Sequence, residues 1–200
     1  SEAEAYIELI KKLNAPYGKY TIMGNHDYGD YARWNSNLEK KGNQARLHEI
    51  EKEIGLTWLN NEHTVLTRGK DSIYLVGVEN WGLPPFPQHG ELGKAMDSIP
   101  DDAFKILLSH DPTHWRQQVL DFAKDIQLTL SGHTHGMQFG FELGKLRWSP
   151  VKYKYAEWAD LYEKNEKYLY VNRGFGHIGY PGRAGIRPEI TVIEFRRKQN

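Results

Sequence analysis

The chain has 200 residues, with 26 basic and 26 acidic side chains and no cysteine. This balanced charge offers no broad basic surface, so we expect no nucleic-acid partner. Because cysteine is absent, disulfides and thiolate metal sites are excluded, and any metal must be held by His, Asp, Asn or Glu. No apolar run approaches the ~20 residues of a membrane span, and no secretory signal is recognisable, which leaves the compartment unknown.

Helices and strands alternate through the first two thirds of the sequence, and strands dominate the remainder. The predicted elements are, in chain order, a helix over residues 1–14, a strand over 19–23, a helix over 44–54, a hairpin of strands 63–67 and 72–76, a short helix over 90–97, a strand over 104–108, a helix over 113–124, and strands over 126–130, 139–143, 145–148, 168–171 and 190–195. This order is typical of an α/β fold, and we expect two stacked mixed β-sheets flanked by helices, an α-β-β-α sandwich. No linker-like segment divides the chain, so residues 1–200 are predicted to form a single domain.

Three polar clusters follow predicted strands. They are Gly24-Asn25-His26-Asp27, Ser109-His110-Asp111-Pro112 and Gly132-His133-Thr134-His135. Ligands of open α/β sheets gather at the carboxyl ends of the strands, so these clusters are predicted to meet in one pocket. Imidazole nitrogen and amide oxygen are good ligands for divalent metals.

Each cluster has a plainer interpretation when it is taken alone. His110 could be an ordinary polar residue after a strand, and Asn25-His26-Asp27 could be a turn, since Asn and Asp favour turns. The side chains of His133 and His135 would face opposite ways on an extended segment, but the flanking glycines allow an irregular backbone. The three clusters together favour a two-metal site, in which ions about 3.5–4 Å apart clamp a phosphoryl group.

Taken in this order and at these separations, the motifs resemble the calcineurin-like metallophosphoesterases. The stretch over residues 169–176, with Arg183 and residues 187–190, is similar to the branch that contains the bacterial YkuE- and YaeI-type phosphodiesterases. The resemblance implies two divalent ions, Mn, Zn or Fe. Asn25, His110 and His133 are then ligands of the second ion, and His135 is a ligand of the first.

The resemblance also implies the catalytic groups. His26 would contact the phosphate and protonate the leaving oxygen, and Asp27 would orient and charge-stabilise His26. The implied reaction is hydrolysis of a phosphodiester, phosphomonoester or pyrophosphate bond by a metal-activated hydroxide, with a diester or pyrophosphate expected ahead of a protein phosphomonoester. The alternative is a non-catalytic scaffold that keeps the fold in order to bind a partner.

The sequence departs from the family pattern in one respect. Family members carry an Asp-x-His motif and then a Gly-Asp-x-x-Asp or -Asn motif ahead of the Asn-His-Asp cluster, and these supply two ligands of the first ion and the bridging carboxylate. Neither motif precedes Asn25 here. We therefore expect a family member truncated by its first two strands, through trimming, cleavage or natural loss. We expect these residues alone to bind metal weakly or not at all, to show little activity, and to self-associate through exposed strand edges.

The expected substrate is a small phosphoester or a lipid-like molecule. Aromatic residues at Trp81, Phe86, Tyr153, Tyr155 and Trp158 allow two interpretations: a rim that grips an apolar substrate, or ordinary core and loop packing. Relatives in this branch are often tied to the membrane or exported, so the resemblance implies membrane association or export through upstream residues.

Overall fold

The computed structural model describes residues 2–144 and 146–196. Ser1 and Lys145, with which two predicted elements begin, lie outside these ranges. Within them, the strands are β1 (Lys19–Thr21), β2 (Leu56–Trp58), β3 (Glu62–Arg68), β4 (Asp71–Gly77), β5 (Lys105–Leu108), β6 (Leu128–Ser131), β7 (Phe141–Leu143), β8 (Leu146–Trp148), β9 (Asp160–Lys164) and β10 (Lys167–Val171). The helices are α1 (Ile7–Lys11), α2 (Asn37–Glu53) and α3 (Leu92–Ala95), with a π-helical turn at Trp115–Val119 and 3₁₀ turns at Glu2–Tyr6, His135–Gln138 and Pro150–Tyr153.

The main sheet has six strands in the order β3-β4-β5-β6-β10-β9. Its four central strands are parallel, and the edge strands β3 and β9 are antiparallel to their neighbours. The β3–β4 hairpin turns at Gly69 and Lys70, where Gly69 has a φ of 64°, as the sequence predicted. Because the central strands run the same way, the residues that follow β4, β5, β6 and β10 emerge at one edge of the sheet.

The main sheet buries both of its faces. One face packs against α3 and the π-helical turn, and its centre holds Leu107, Trp115 and Leu169, each no more than 1% exposed. The other face packs against β1 and the residue after β2, where Ile22 and Leu59 meet side chains of β4, β5 and β6. Burial on both faces accounts for the near-continuous apolar runs of these strands.

Strands β1 and β2 pair in parallel as a second, two-stranded sheet. Helix α2 covers this pair, and the ring of His48 stacks on Trp58 with centroids 3.7 Å apart. The layers are therefore helices, the main sheet, the small sheet and α2. The predicted α/β class with stacked sheets between helices is confirmed, with the second sheet smaller than the first and parallel rather than mixed.

Several predicted elements differ from the structure. Helix α2 begins seven residues before the predicted start, because Ser36 accepts a hydrogen bond from the amide of Glu39 while the Glu39 carboxylate accepts one from the amide of Asn35. The helix predicted over 113–124 is limited to a short turn, and Thr113 donates to Asp111 instead of capping a longer helix. No strand forms over residues 190–195, where Val192 is 92% exposed.

The side chain of Glu51 lies between α2 and the small sheet, and burial, reinforced by the charge of Asp27, raises its pKa to about 7. Because the pKa of Glu51 in the folded state lies above its unfolded value near 4.5, the free energy of unfolding is unaffected by this group below pH 4.5. It falls as the pH rises from there through 7, where the buried carboxyl ionises. We expect Glu51→Gln to unfold with a free energy about 1–2 kcal/mol higher than the parent at pH 8, after allowance for partial exposure, and equal to it near pH 4.5.

Urea unfolding at the two pH values measures this difference. Glu49→Gln is the matched control, since Glu49 lies on the same helix with its side chain largely exposed. A gain in stability that is the same at both pH values would show that the ionisation of Glu51 is not its cause.

Candidate functional site

The three polar clusters meet at one edge of the sheets. His110 follows β5 and His133 follows β6, which are neighbouring parallel strands. Asn25 lies in the loop that follows β1 of the small sheet. The chain thus brings together side chains that are 85 and 108 residues apart, as the sequence predicted.

The side-chain oxygen of Asn25 is the centre of the cluster. Asn25 Oδ1 lies 3.0 Å from His110 Nε2 and 3.1 Å from His133 Nδ1. Asn25 Nδ2 donates a hydrogen bond of 2.9 Å to the hydroxyl of Tyr31, which fixes the amide with its oxygen towards the two imidazoles. Asn25 is 3% exposed, so this arrangement is largely shielded from water.

The opposite edge of the His133 ring has its own partners. His133 Nε2 lies 2.7 Å from the hydroxyl of Tyr155 and 3.4 Å from Asp111 Oδ2. The other oxygen of Asp111 accepts hydrogen bonds from the amide and hydroxyl of Thr113, at 2.8 and 2.7 Å. Asp111 and Tyr155 are only 1% and 6% exposed.

Both histidines of the Gly-His-Thr-His motif have a left-handed backbone. The φ angles are 65° at His133 and 51° at His135, a conformation that costs a non-glycine residue roughly 1–3 kcal/mol. The prediction of an irregular backbone is right, but the histidines adopt the strained conformation themselves, together with Gly136 at 54°. Thr134 stabilises the segment by donating to the carbonyl of Trp158 at 2.8 Å.

His26 is exposed towards the cavity, and its ring packs on Tyr31 with centroids 4.4 Å apart. The carboxylate of Asp27 closes the same turn, because Asp27 Oδ2 accepts a hydrogen bond of 2.8 Å from the amide of Gly24. Among the hydrogen bonds of the described residues, none joins Asp27 to His26. The orienting role of Asp27 therefore stays a prediction, and its visible contact is with the backbone.

Gly24 is required by the closeness of His110. A Cβ atom at this position would lie 2.9 Å from three atoms of the His110 ring, closer than a real Cβ approaches a neighbour. The glycine of the first cluster thus lets the loop after β1 pass directly over the imidazole that follows β5. This contact ties the small sheet to the main sheet at the site.

Burial keeps the imidazoles neutral. It lowers the pKa of His110 to about 4 and that of His133 to about 3, with further repulsion from neighbouring histidines. The pKa of His135 is lowered as well, first by burial and then by the charge of Arg183, whose guanidinium donates to the His135 carbonyl at 3.4 Å. Neutral imidazoles present lone pairs at pH 7, which is the form that binds metals.

The donor set fits a divalent ion in part. Ligand atoms around one ion, at bonds of about 2.1 Å, lie roughly 3.0–3.4 Å from each other, and the nitrogens of His110 and His133 lie at such distances from Asn25 Oδ1. His135 Nδ1 is buried without a hydrogen-bond partner, so it has a lone pair or a proton to share. Within residues 2–144 and 146–196, however, no three His, Asp or Glu side chains form a ligand group by themselves.

The predicted site residues share one cavity of about 1130 Å³. All six of them line it: Asn25, His26, Asp27, His110, His133 and His135. Sequence reasoning did not assign a site role to Tyr31, Lys154 or the loop over residues 177–181, which also line the cavity, nor to Asp111 behind it. Asp111 stands beside His110 in the second cluster, and that position was the one available signal.

Comparison with known proteins gives a consistent result. A family model described as calcineurin-like phosphoesterase matches residues 1–137. The uncharacterized metallophosphoesterase YkuE of Bacillus subtilis is 32% identical over 195 residues, which cover 96% of this chain and 61% of YkuE. Phosphodiesterase YaeI of Escherichia coli is 31% identical, with 95% of this chain and 63% of YaeI covered.

A protein of Danio rerio is similar as well. The transmembrane protein with metallophosphoesterase domain of Danio rerio is 30% identical over 207 residues, which cover 98% of this chain and 43% of the fish protein. The chain thus spans about 60% of the length of the bacterial relatives and less than half of the fish protein. No solved structure is significantly similar to it.

Proposed function

Because the chain belongs to the calcineurin-like phosphoesterase family, in its branch of YkuE- and YaeI-like proteins, we propose that it acts as a metal-dependent hydrolase of phosphate esters. The observation that carries this proposal is the convergence of His110 and His133 on Asn25 Oδ1 in a shared cavity. A phosphodiester or pyrophosphate is the preferred substrate class, and a small molecule is preferred over a phosphoprotein.

Asn25, His110 and His133 would hold one divalent ion, and His135 would contribute to a second. When bound, such ions make water a nucleophile near neutral pH and neutralise charge on phosphoryl oxygens. His26, exposed in the cavity, would donate a proton to the leaving oxygen. Mn²⁺, Zn²⁺ and Fe²⁺ all suit imidazole and amide ligands.

Lys154 provides a further positive charge for the phosphate. Its ammonium lies 4.8 Å from the ring centroid of Phe86 and 5.6 Å from that of Tyr155. It lines the cavity beside His133 and lowers the pKa of that residue. A cation held over two rings in the cavity wall favours substrates whose phosphate carries negative charge beyond what the bound ions would neutralise.

We propose that residues 1–200 by themselves hold the ions weakly. The sequence contains no Asp-x-His motif, and the described residues supply two imidazoles and one amide around a single point instead of a carboxylate-rich set. The same observation favours a second candidate, in which the chain binds a phosphorylated partner without hydrolysing it.

A lipid-like substrate is supported by the cavity wall. Met137, Ile178 and Tyr180 line the cavity and are 54%, 40% and 45% exposed. Such a wall suits an apolar group attached to the phosphate. Tyr153, at 77% exposure, is available to an apolar surface as well, whereas Trp158 is buried in a core cluster, which is ordinary packing.

Within residues 2–144 and 146–196, no helix combines the length and apolar character needed to cross a bilayer. We propose membrane association from the exposed apolar residues of the cavity wall and from two relatives that are named as transmembrane proteins with a metallophosphoesterase domain. Self-association is proposed from the exposed apolar residues near the N-terminus, where Leu9 of α1 and Leu13, which follows the helix, are 63% and 61% exposed. Gel filtration of residues 1–200 tests it, and a compact monomer would count against it.

Hydrolysis of bis-p-nitrophenyl phosphate with added Mn²⁺ tests the proposed function. The comparison uses residues 1–200 and the polypeptide of the full reading frame that encodes them, with p-nitrophenyl phosphate as the monoester control. We expect metal-dependent turnover of the diester by the full polypeptide and little by residues 1–200. Robust turnover by residues 1–200 would refute the weak-binding proposal. A full polypeptide that binds Mn²⁺ without turning over either ester would favour the scaffold.

A further inference from the structure

The His133 ring has hydrogen-bonding groups on both of its nitrogens, and only one of the two faces the metal ligands. Asn25 Oδ1, which can only accept, faces Nδ1 at 3.1 Å. Tyr155 and Asp111 face Nε2 at 2.7 and 3.4 Å. A neutral imidazole carries one proton, so its position on the ring is decided by these partners.

In the absence of an ion, the contacts assign that proton to Nδ1. Nδ1–H donates to Asn25 Oδ1, and Nε2 then accepts from the hydroxyl of Tyr155. A tyrosine hydroxyl is protonated at neutral pH and therefore able to donate. In this state Asp111 Oδ2 is a buried oxygen without a donor, although the other carboxyl oxygen accepts two hydrogen bonds from Thr113.

Binding of an ion requires the other tautomer. An ion held by Asn25, His110 and His133 needs the lone pair of His133 Nδ1, so Nδ1 releases its proton to solvent and Nε2 takes one up, with no change in the charge of the ring. The new Nε2–H then needs an acceptor. The Tyr155 hydroxyl at 2.7 Å can accept as well as donate. Asp111 Oδ2 lies 3.4 Å away, outside hydrogen-bond geometry and without another partner, so that a small rotation of the ring would make it an acceptor. Of the two groups, a carboxylate is the commoner partner for the second N–H of a histidine that binds a metal.

We propose that Tyr155 and Asp111 are positioning residues for His133, with Tyr155 holding the ion-free tautomer and Asp111 accepting the Nε2 proton of the ion-binding tautomer. The inference rests on the proposed function only in taking His133 as a metal ligand. The packing of the Trp81–Gly82 loop supports it, because a Cβ atom at Gly82 would lie 2.4 Å from Asp111 Oδ2. The loop therefore passes close to the oxygen that faces His133 and leaves no room for a side chain at position 82.

The position of the ring proton can be read directly from ¹⁵N chemical shifts of the polypeptide of the full reading frame, labelled at histidine, since residues 1–200 alone are proposed to hold ions weakly. Without metal, we expect the Nδ1–H tautomer at His133, and titration with diamagnetic Zn²⁺ should convert it to Nε2–H. Tyr155→Phe keeps the ring packing but removes the hydroxyl, so in the ion-free chain the proton should shift towards Nε2. Asp111→Asn should keep the ion-free tautomer and weaken Zn²⁺ binding by about 10- to 100-fold.

Two control variants separate positioning from general damage. Tyr153→Phe changes an exposed tyrosine two residues from Tyr155, and Asp125→Asn changes a carboxylate whose side chain is 74% exposed; neither should alter the tautomer or the Zn²⁺ affinity. The proposal would be overturned by an Nε2–H tautomer in the ion-free parent. It would also be overturned if Tyr155→Phe and Asp111→Asn both kept the tautomer and the Zn²⁺ affinity of the parent. If Asp111→Asn does not fold, the tautomer shift in Tyr155→Phe decides alone. If the polypeptide of the full reading frame shows these shifts but hydrolyses no ester, the proposed function is contradicted and this inference stays intact.

Discussion

Substitution of His133 by alanine is expected to have the largest effect on the proposed activity. The side chain would be lost from Asn25, Tyr155 and Asp111 together, and an ion would lose one of three convergent ligands. We expect Zn²⁺ affinity to fall by roughly 100-fold or more, and diester hydrolysis by the polypeptide of the full reading frame to fall by about 10³-fold.

Isothermal titration with Zn²⁺ and the diester assay measure these losses. The matched control is His177→Ala, because His177 lines the same cavity with an exposed ring outside the Asn25 cluster. We expect this control to stay within about threefold of the parent in both measurements, as surface substitutions usually do. Equal losses in the two variants would show that any imidazole of the cavity contributes alike, and the role given to His133 would be wrong.

The second large effect is expected at His26. Asparagine at this position should lower kcat for a diester with an alkyl leaving group by about 10²- to 10⁴-fold, because proton donation to the leaving oxygen is lost. Zn²⁺ affinity should stay at the parental value, since His26 makes no hydrogen bond with Asn25, His110 or His133 among those that the structure describes, and its ring packs on Tyr31.

The leaving group distinguishes proton donation from simple phosphate binding. The loss in His26→Asn should be small for a diester with a p-nitrophenyl leaving group and large for one with an alkyl leaving group, which needs a proton to depart. Rates across a series of aryl and alkyl diesters give this dependence for parent and variant. An equal loss for all leaving groups would assign His26 to binding of the phosphate and not to acid catalysis.

The sequence predicted the site better than the elements around it. Asn25, His110 and His133 could be placed together because each follows a strand, and the parallel order of β5 and β6 then forces their ends to one edge. The hydrogen-bond partners of each side chain could not be predicted. The hydrogen bond that the Asp27 carboxylate accepts from the Gly24 amide is a local geometry that residue spacing does not encode, and the orienting role of Asp27 towards His26 stays a prediction.

The missed elements have separate physical reasons. The early start of α2 was visible in the Ser36-x-x-Glu39 capping pattern, which is a local signal. The alternating residues over 190–195 resemble a strand, but Ile190 and Val192 are 84% and 92% exposed, and no neighbouring strand pairs with them within the described residues. A strand needs a partner in the sheet, and a partner is a property of the whole fold. Tyr155 was named as a rim or packing residue, but its contact with His133 was not predicted for the same reason, since that contact spans 22 residues.

The left-handed backbone at His133 and His135 limits which side chains can replace them. Asparagine and aspartate tolerate this conformation and still offer an oxygen to a cation, whereas valine, isoleucine and threonine would add a steric penalty to the loss of a ligand. Attempts to retune the site for a harder ion should therefore begin with His133→Asp or His135→Asn. The same restriction limits the residues that natural or engineered variants can carry at these two positions, whichever metal they bind.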